Sequence, residues 1–147
     1  MAETVRGALL TLLGRRDYTA FELRQRLVEK GHDAGEVAEQ IELLTADGTL
    51  DDARVAASHL RVASQVKGRG RMRIRQELQA RGIAKAIIEP LIAEMPSEDE
   101  DAAIQKFLQR KRVPEKLDQA ARNRVFQQLM RKGFTSDAIS KALRHRE

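Results

Sequence analysis

The chain has 147 residues, a length that favours one domain with a sizeable buried core. It contains one Tyr, four Phe, no Trp and no Cys, which excludes disulfides, thiolate metal sites and cysteine nucleophiles and favours an intracellular protein built from packed helices. The net charge of +5 is uneven, because residues 1–50 carry −3 while residues 51–95 and 96–147 carry +4 each. The basic second and third parts point to a polyanion or an acidic protein surface as the partner.

No apolar run is long enough for a membrane span, and no secretory signal is present, so we expect a cytoplasmic protein without membrane contact. The three histidines, His32, His59 and His145, lie far apart in sequence, which argues against a histidine metal centre. The sequence contains none of the common catalytic or nucleotide-binding motifs. We therefore expect a protein that is not an enzyme and that binds no cofactor and no metal.

A ten-residue segment occurs three times in the chain, each copy 51 residues after the one before. In every copy apolar residues four apart precede a glycine, and apolar residues four apart follow it, which is typical of two helices separated by a glycine turn. The residue after the glycine is apolar in the second and third copies and histidine in the first. The copies are ELRQRLVEKG at 22–31, RIRQELQARG at 73–82 and RVFQQLMRKG at 124–133, ending at Gly31, Gly82 and Gly133.

One further helix precedes each repeated pair, near residues 3–15, 52–66 and 101–112. Capping boxes start the helices after Thr19 and Asp33, and the acidic stretch at 96–101 is a plausible junction. The sequence thus predicts an all-α protein of three tandem three-helix repeats, which are tri-helical, helix-turn-helix-like units at 1–49, 50–96 and 97–147. Stacked repeats of this kind predict an elongated, curved molecule, and we expect a monomer.

Two adjacent carboxylates, Asp51 and Asp52, follow Leu50 at the start of the second repeat. Leu50 and Val55 flank Asp51 at the spacing of a hydrophobic staple, so Asp51 is predicted to be the N-cap and Asp52 to lie in the first turn. This interpretation makes the pair structural rather than catalytic or metal-binding.

The stretch KGRGRMRIR at residues 67–75 holds five cations around two glycines. Ile74 and Leu78 account for the packing of the helix, so the cations are predicted to be accessible, and replacing the arginines should cost little stability. Cations at this density repel one another unless an anion meets them. The predicted partner- or DNA-binding residues are Lys67, Arg69, Arg71, Arg73 and Arg75.

Several of these segments resemble the RecX family, whose members regulate the RecA recombinase. The similar segments are GTLDDARVA at 48–56, Gly70, IRQELQARGI at 74–83, LLGRRDYTAFEL at 12–23 and RKGFTSDAI at 131–139; Val55 departs from the family, which usually has an aromatic residue there. The resemblance implies a protein of recombination, DNA repair and the SOS response. It also implies binding in the groove of RecA filaments on DNA and restraint of their ATPase, strand-exchange and co-protease activities.

Two other functions remain open from the residues alone: a helix-turn-helix DNA-binding protein without a recombinase partner, and a general helical-repeat adaptor. The helices after the glycines carry few side chains suited to reading bases, because IAKAIIEPLI at 83–92 offers one lysine and a proline. We therefore expect only weak, non-specific binding to single- or double-stranded DNA.

Overall fold

The computed structural model describes residues 3–144 and residue 146, so His145 lies outside the described residues. Within that part of the chain every regular element is helical, which confirms the all-α prediction. The nine α-helices described are α1 (Val5–Leu13), α2 (Ala20–Glu29), α3 (Ala34–Ala46), α4 (Asp52–Arg61), α5 (Arg71–Ala80), α6 (Lys85–Ala93), α7 (Ser97–Arg110), α8 (Gln119–Arg131) and α9 (Ser136–Leu143).

Side chains of the expected kind cap the helix starts. Thr19 accepts the N–H of Glu22, and the Glu22 carboxylate accepts the N–H of Thr19, which completes the predicted capping box of α2. Asp33 caps α3 and Thr135 caps α9. Each cap satisfies an amide that has no partner within its own helix.

The predicted start of the seventh helix near residue 101 is wrong, because α7 begins at Ser97. Pro96 holds the extended conformation just before it, and proline with φ near −65° is compatible with this position. The carboxylates of Glu98, Asp99 and Glu100 fall in the first turn, where the helix dipole favours negative charge. The acidic stretch is therefore the beginning of α7 rather than a linker before it.

The described chain divides into two compact units. The first contains the residues up to His59 together with Leu78–Ile88. Its core lies among α1, α2 and α3, with Leu9, Leu23 and Leu44 fully buried and Leu50 closing one side.

The second unit contains Leu60–Glu77 and the residues from Glu89 onwards. Its core lies among α7, α8 and α9 and is built around Phe134, Ile104 and Leu129, each with no exposed surface. Leu129 and Ile139 stand at equivalent positions to Leu27 and Val37 of the first unit, and all four are fully buried. The 51-residue spacing therefore marks positions that pack in the same way.

Gly31, Gly82 and Gly133 all have positive φ angles, between +75° and +98°. After each glycine the next backbone N–H reaches back five residues: His32 to Leu27, Ile83 to Leu78, and Phe134 to Leu129. This is the hydrogen-bond pattern of a Schellman motif, so the predicted capping role of the three glycines is confirmed.

Candidate partner-binding surface

The basic stretch 67–75 follows a five-residue π-helical segment, Val62–Val66, which comes directly after α4. We call this segment the π-turn. The N–H of Lys67 bonds the carbonyl of Val62, and the N–H of Arg69 bonds that of Ala63. Short π segments of this kind often occur at functional sites. Nothing in the hydrophobic periodicity of the sequence predicted the π-turn.

Arg71, the first residue of α5, is bound to a buried carboxylate. Its backbone N–H donates to Oε2 of Glu100 at 3.1 Å, and its Nε lies 3.6 Å from Oε1 of the same residue. A guanidinium N–H also donates to the carbonyl of Met95. Glu100 is only 5% exposed, so it serves both as a cap for α5 and as the partner of the Arg71 side chain.

The other three arginines are also paired with carboxylates of their own unit. Arg69 and Arg73 share Glu77, and the Arg73 Nε lies 3.7 Å from its Oε2. Arg75 holds Glu89 in a bidentate pair, with N···O distances of 2.9 and 3.3 Å.

The expectation that these four arginines are free, accessible cations is therefore wrong. The anions that offset their repulsion are carboxylates of the same chain, and two of them, Glu89 and Glu100, lie on other helices. Arg73 has the most exposed side chain of the four, at 41%, and Lys67 is exposed beside them. Of the predicted contact residues, Lys67 and Arg73 thus offer the most charge to a partner.

The structural roles predicted for Leu50, Asp51 and Asp52 agree with their contacts, and Asp52 has one further contact that was not predicted. Leu50 is buried, and Asp51 accepts the N–H of Arg54 at 3.2 Å, as an N-cap does. Asp52 is the first residue of α4, but its Oδ1 accepts the N–H of Ala20 at 3.0 Å. It therefore caps α2 as well as favouring its own helix.

We call the contact between the start of α2 and the end of α5 in the first unit the first junction. Here the Thr19 hydroxyl donates to the Arg81 carbonyl at 2.6 Å. A Cβ at Gly82 would lie 2.2 Å from the Phe21 side chain, so this glycine is needed for close approach as well as for its φ angle.

The second junction, in the second unit, joins the start of α5 to the end of α8. The N–H of Gly70 donates to the Lys132 carbonyl at 2.8 Å, and the N–H of Met72 donates to the Gly133 carbonyl at 2.9 Å. A Cβ at Gly70 would lie 2.5 Å from the Gly133 backbone, and a Cβ at Gly133 would lie 2.4 Å from the backbone nitrogen of Arg73. Two backbone segments of the chain are thus in direct contact here, with no side chain between Gly70 and Gly133.

An ion pair that was not predicted from the sequence completes the first junction. The Arg81 guanidinium bonds both carboxylate oxygens of Glu22, at 3.0 and 3.2 Å, and the Asp17 carbonyl at 3.1 Å. Burial alone would raise the pKa of Glu22, but the bonds from Arg81 and Thr19 and the charge of Arg16 together lower it. Arg81 and Glu22 are 59 residues apart, and no local pattern links them.

No group of three or more His, Asp or Glu side chains in the described residues could hold a metal ion. In the same part of the chain, no helix is both long and apolar enough to cross a bilayer.

Models of the RecX family match three segments of the chain: the first three-helix domain at residues 6–43, the second at 51–90 and the third at 98–143. A curated relative, regulatory protein RecX of Halorhodospira halophila, is 36% identical over 96% of this chain and 87% of its own. Regulatory protein RecX of Vibrio parahaemolyticus is also 36% identical, over 92% of this chain and 87% of its own.

Two solved structures share the fold. RecX from Lactobacillus salivarius superposes with a TM-score of 0.82 at 21% identity, covering 95% of this chain and 92% of that one. Another crystal structure of regulatory protein RecX gives a TM-score of 0.81 at 22% identity, covering 95% of this chain and 70% of that one. The predicted series of three-helix repeats is thereby confirmed.

Proposed function

This chain belongs to the RecX family, and from that membership we propose that it regulates the RecA recombinase by binding RecA filaments on DNA. The observation that carries the proposal is the match of all three repeats, in order, to the three domains of that family. In the finer form of the proposal, the bound protein restrains the ATPase, strand-exchange and co-protease activities of the filament. It acts as a binding protein without chemistry of its own, in the cytoplasm and as a monomer.

The repeats at 1–49, 50–96 and 97–147 are the modules of this proposal. Consecutive similar units suit a protein that touches several subunits of a helical partner in succession. By holding neighbouring subunits in one state, the protein hinders their turnover or the addition of new subunits.

The test is the ATPase rate and filament length of RecA on single-stranded DNA, with and without this protein. We expect both to fall as the protein approaches the concentration of RecA, with the heat-unfolded chain as the control. Unchanged ATPase and unchanged filament length under these conditions would refute the proposal.

A second measurement separates a filament-binding protein from a DNA-binding protein. Contacts with phosphates alone give binding to naked DNA that weakens steeply with salt. We expect weak, salt-sensitive binding to naked DNA and tighter binding to DNA coated with RecA. Equal affinity for both would favour the helix-turn-helix alternative.

The basic stretch enters the proposal mainly through Lys67 and Arg73. Arg71 and Arg75 each hold a carboxylate of another helix, and Arg69 has a less exposed side chain than Arg73. Arg73 is 3.7 Å from Glu77, a carboxylate that keeps Arg69 as a partner when Arg73 is replaced, so the variant K67Q/R73Q is the sharper test. It should keep its melting temperature within a few degrees, because exposed charges contribute about ±0.5 kcal/mol each. We expect weaker inhibition of RecA ATPase at low salt; inhibition equal to wild type would remove these side chains from the interface.

A further inference from the structure

A groove of about 270 Å³ lies in the second unit, between the π-turn and α7. Its apolar surface comes from Val66, Ala102, Ala103 and Phe107. Val66 is 77% exposed, which is high for a valine at the end of a helical segment. The π-turn places this valine at the groove and forms one of its walls.

The charges around the groove are strongly unbalanced. Four cations line it, Lys67, Lys106, Arg110 and Lys132, whereas Asp99 is the only carboxylate among the lining residues. None of these cations is in an ion pair with another residue of the described chain. In this they differ from the arginines of the 69–75 stretch, each of which has a carboxylate partner.

Lys132 lies where the positive charge is most concentrated. Its ammonium sits 5.4 Å from the centre of the Phe107 ring, and partial burial is the largest cause that lowers its pKa. The nearby cations Arg110, Arg73, Lys111 and Arg69 lower that pKa further. An anion bound here would relieve both the repulsion and the loss of hydration.

We propose that this groove binds an acidic peptide segment that places one apolar side chain against Val66, Ala102 and Ala103. The four cations fit carboxylates on both sides of the apolar residue, and the apolar surface gives that residue a place to bury. The sugar–phosphate backbone of DNA supplies the charge but not the apolar side chain. A base has no open ring to stack on, because Phe107 is only 8% exposed and is covered by Lys132.

The proposal deepens the proposed function, because it states the chemistry of the partner segment. It can fail separately, since peptide binding is measured without RecA.

The probe is a fluorescein-labelled peptide in which one phenylalanine is flanked by aspartates and glutamates, followed by fluorescence anisotropy with the full chain. Its serine-for-phenylalanine version and an oligothymidine of equal charge are measured alongside it. We expect the phenylalanine peptide to bind more tightly than both. Equal binding of the serine peptide, or tighter binding of the oligothymidine, would overturn the proposal.

The variant K106Q/R110Q should lower the affinity for the phenylalanine peptide by about twofold to thirtyfold, because two exposed charge contacts are lost. A matched control is R124Q/K141Q, which removes one exposed arginine and one exposed lysine from the same unit but outside the groove. The control should bind like wild type. Equal losses in both double variants would show that net charge alone attracts the peptide and would overturn the proposal.

A gain of binding provides an independent test. Asp99→Asn removes the carboxylate from the groove and should tighten peptide binding, whereas Glu98→Gln changes a neighbouring residue of the same helical turn that does not line the groove. Tightening by Asp99→Asn alone supports the site. Unchanged binding in Asp99→Asn, or equal tightening in both variants, contradicts it.

Discussion

The two junctions use the same backbone position in different ways. Thr19 and Gly70 are 51 residues apart, and both donate a hydrogen bond to the carbonyl just before a glycine of the next repeat. In the first junction the donor is a side-chain hydroxyl, and in the second it is a backbone N–H. The two backbone segments of the second junction therefore lie closer together than those of the first, and they leave no room for a side chain at Gly70. Thr19 and Gly70 thus bond to the equivalent carbonyl of the following repeat, although they are different residue types.

The charges at the two junctions are opposite in effect. Glu22 in the first junction attracts Arg81, whereas the equivalent positions of the second junction hold Arg73 and Lys132, two cations. The first junction is thus neutralised within the chain, and the second keeps an excess of positive charge. This difference places the candidate anion-binding groove beside the second junction.

The largest expected effect is that of Gly133→Ala, measured against Gly31→Ala. Both changes force a side chain to positive φ, at about 1–2 kcal/mol, but only Gly133 is also close to another stretch of backbone. Overpacking should add about 1–3 kcal/mol to the loss of stability in Gly133→Ala. Urea unfolding of the two variants checks the difference; equal midpoints would mean that the close approach at the second junction costs nothing to disturb.

Next in size is the removal of the carboxylate that caps α5. Glu100→Ala leaves the Arg71 guanidinium partly buried without its carboxylate, which should cost about 3 kcal/mol. The corresponding change for α2, Asp52→Ala, removes the carboxylate that caps the start of that helix and should cost about 1 kcal/mol. Thermal unfolding of both variants tests the order, and a larger loss in Asp52→Ala would reverse the assignment of the stronger carboxylate contact.

A smaller effect is expected for Thr19→Ala. The change removes the cap of α2, worth about 1 kcal/mol, and the bond to Arg81, worth about another 1 kcal/mol. Thr135→Ala removes only a cap and is the control. Denaturant unfolding should therefore show about twice the loss for Thr19→Ala, and equal losses would indicate that the hydroxyl bond across the first junction adds no stability.

The smallest effect concerns pH. The folded pKa of Glu22 is lowered, so its contribution to stability is present above the ordinary glutamate pKa and disappears as the pH falls through the lower folded value. In Arg81→Gln this acid-side loss should shrink, because the charge and bonds that lower the pKa are gone. Unfolding free energies at several acidic pH values give the measurement. The same slope in both proteins would show that the pair does not lower the pKa of Glu22.

Much of the fold follows from local patterns that the sequence displays. The 51-residue spacing predicts the buried positions Leu27, Leu78 and Leu129, and the glycines after them predict the helix ends, because both depend on neighbouring residues. The Asp51 cap follows from the same kind of local chemistry. The π-turn does not, because a segment of five residues is too short for its wider hydrogen-bond spacing to show as a change in the hydrophobic period.

The candidate site was less predictable, because its electrostatics depend on distant residues. Arg75 is 14 residues from Glu89, and Arg71 is 29 residues from Glu100. A count of charges within the 67–75 stretch therefore treats these arginines as free cations, although the folded chain pairs them with carboxylates. The groove cations come from the π-turn, α7 and the end of α8, which no single segment brings together. The exchange of Glu22 for Arg73 was visible in the aligned repeats, but its meaning required the partners Arg81 and Lys132.

The carboxylates that cap α2 and α5 also determine when each helix becomes fully capped during translation. The first amide of α2 is bonded by Asp52, 32 residues downstream, and the first amide of α5 by Glu100, 29 residues downstream. A chain leaves the ribosome from its N-terminus, so each of these helices emerges before the carboxylate that completes it. A nascent chain that stops after the first repeat therefore lacks the carboxylate that caps α2, and the first and second repeats each gain their last cap only when the start of the following repeat has been translated.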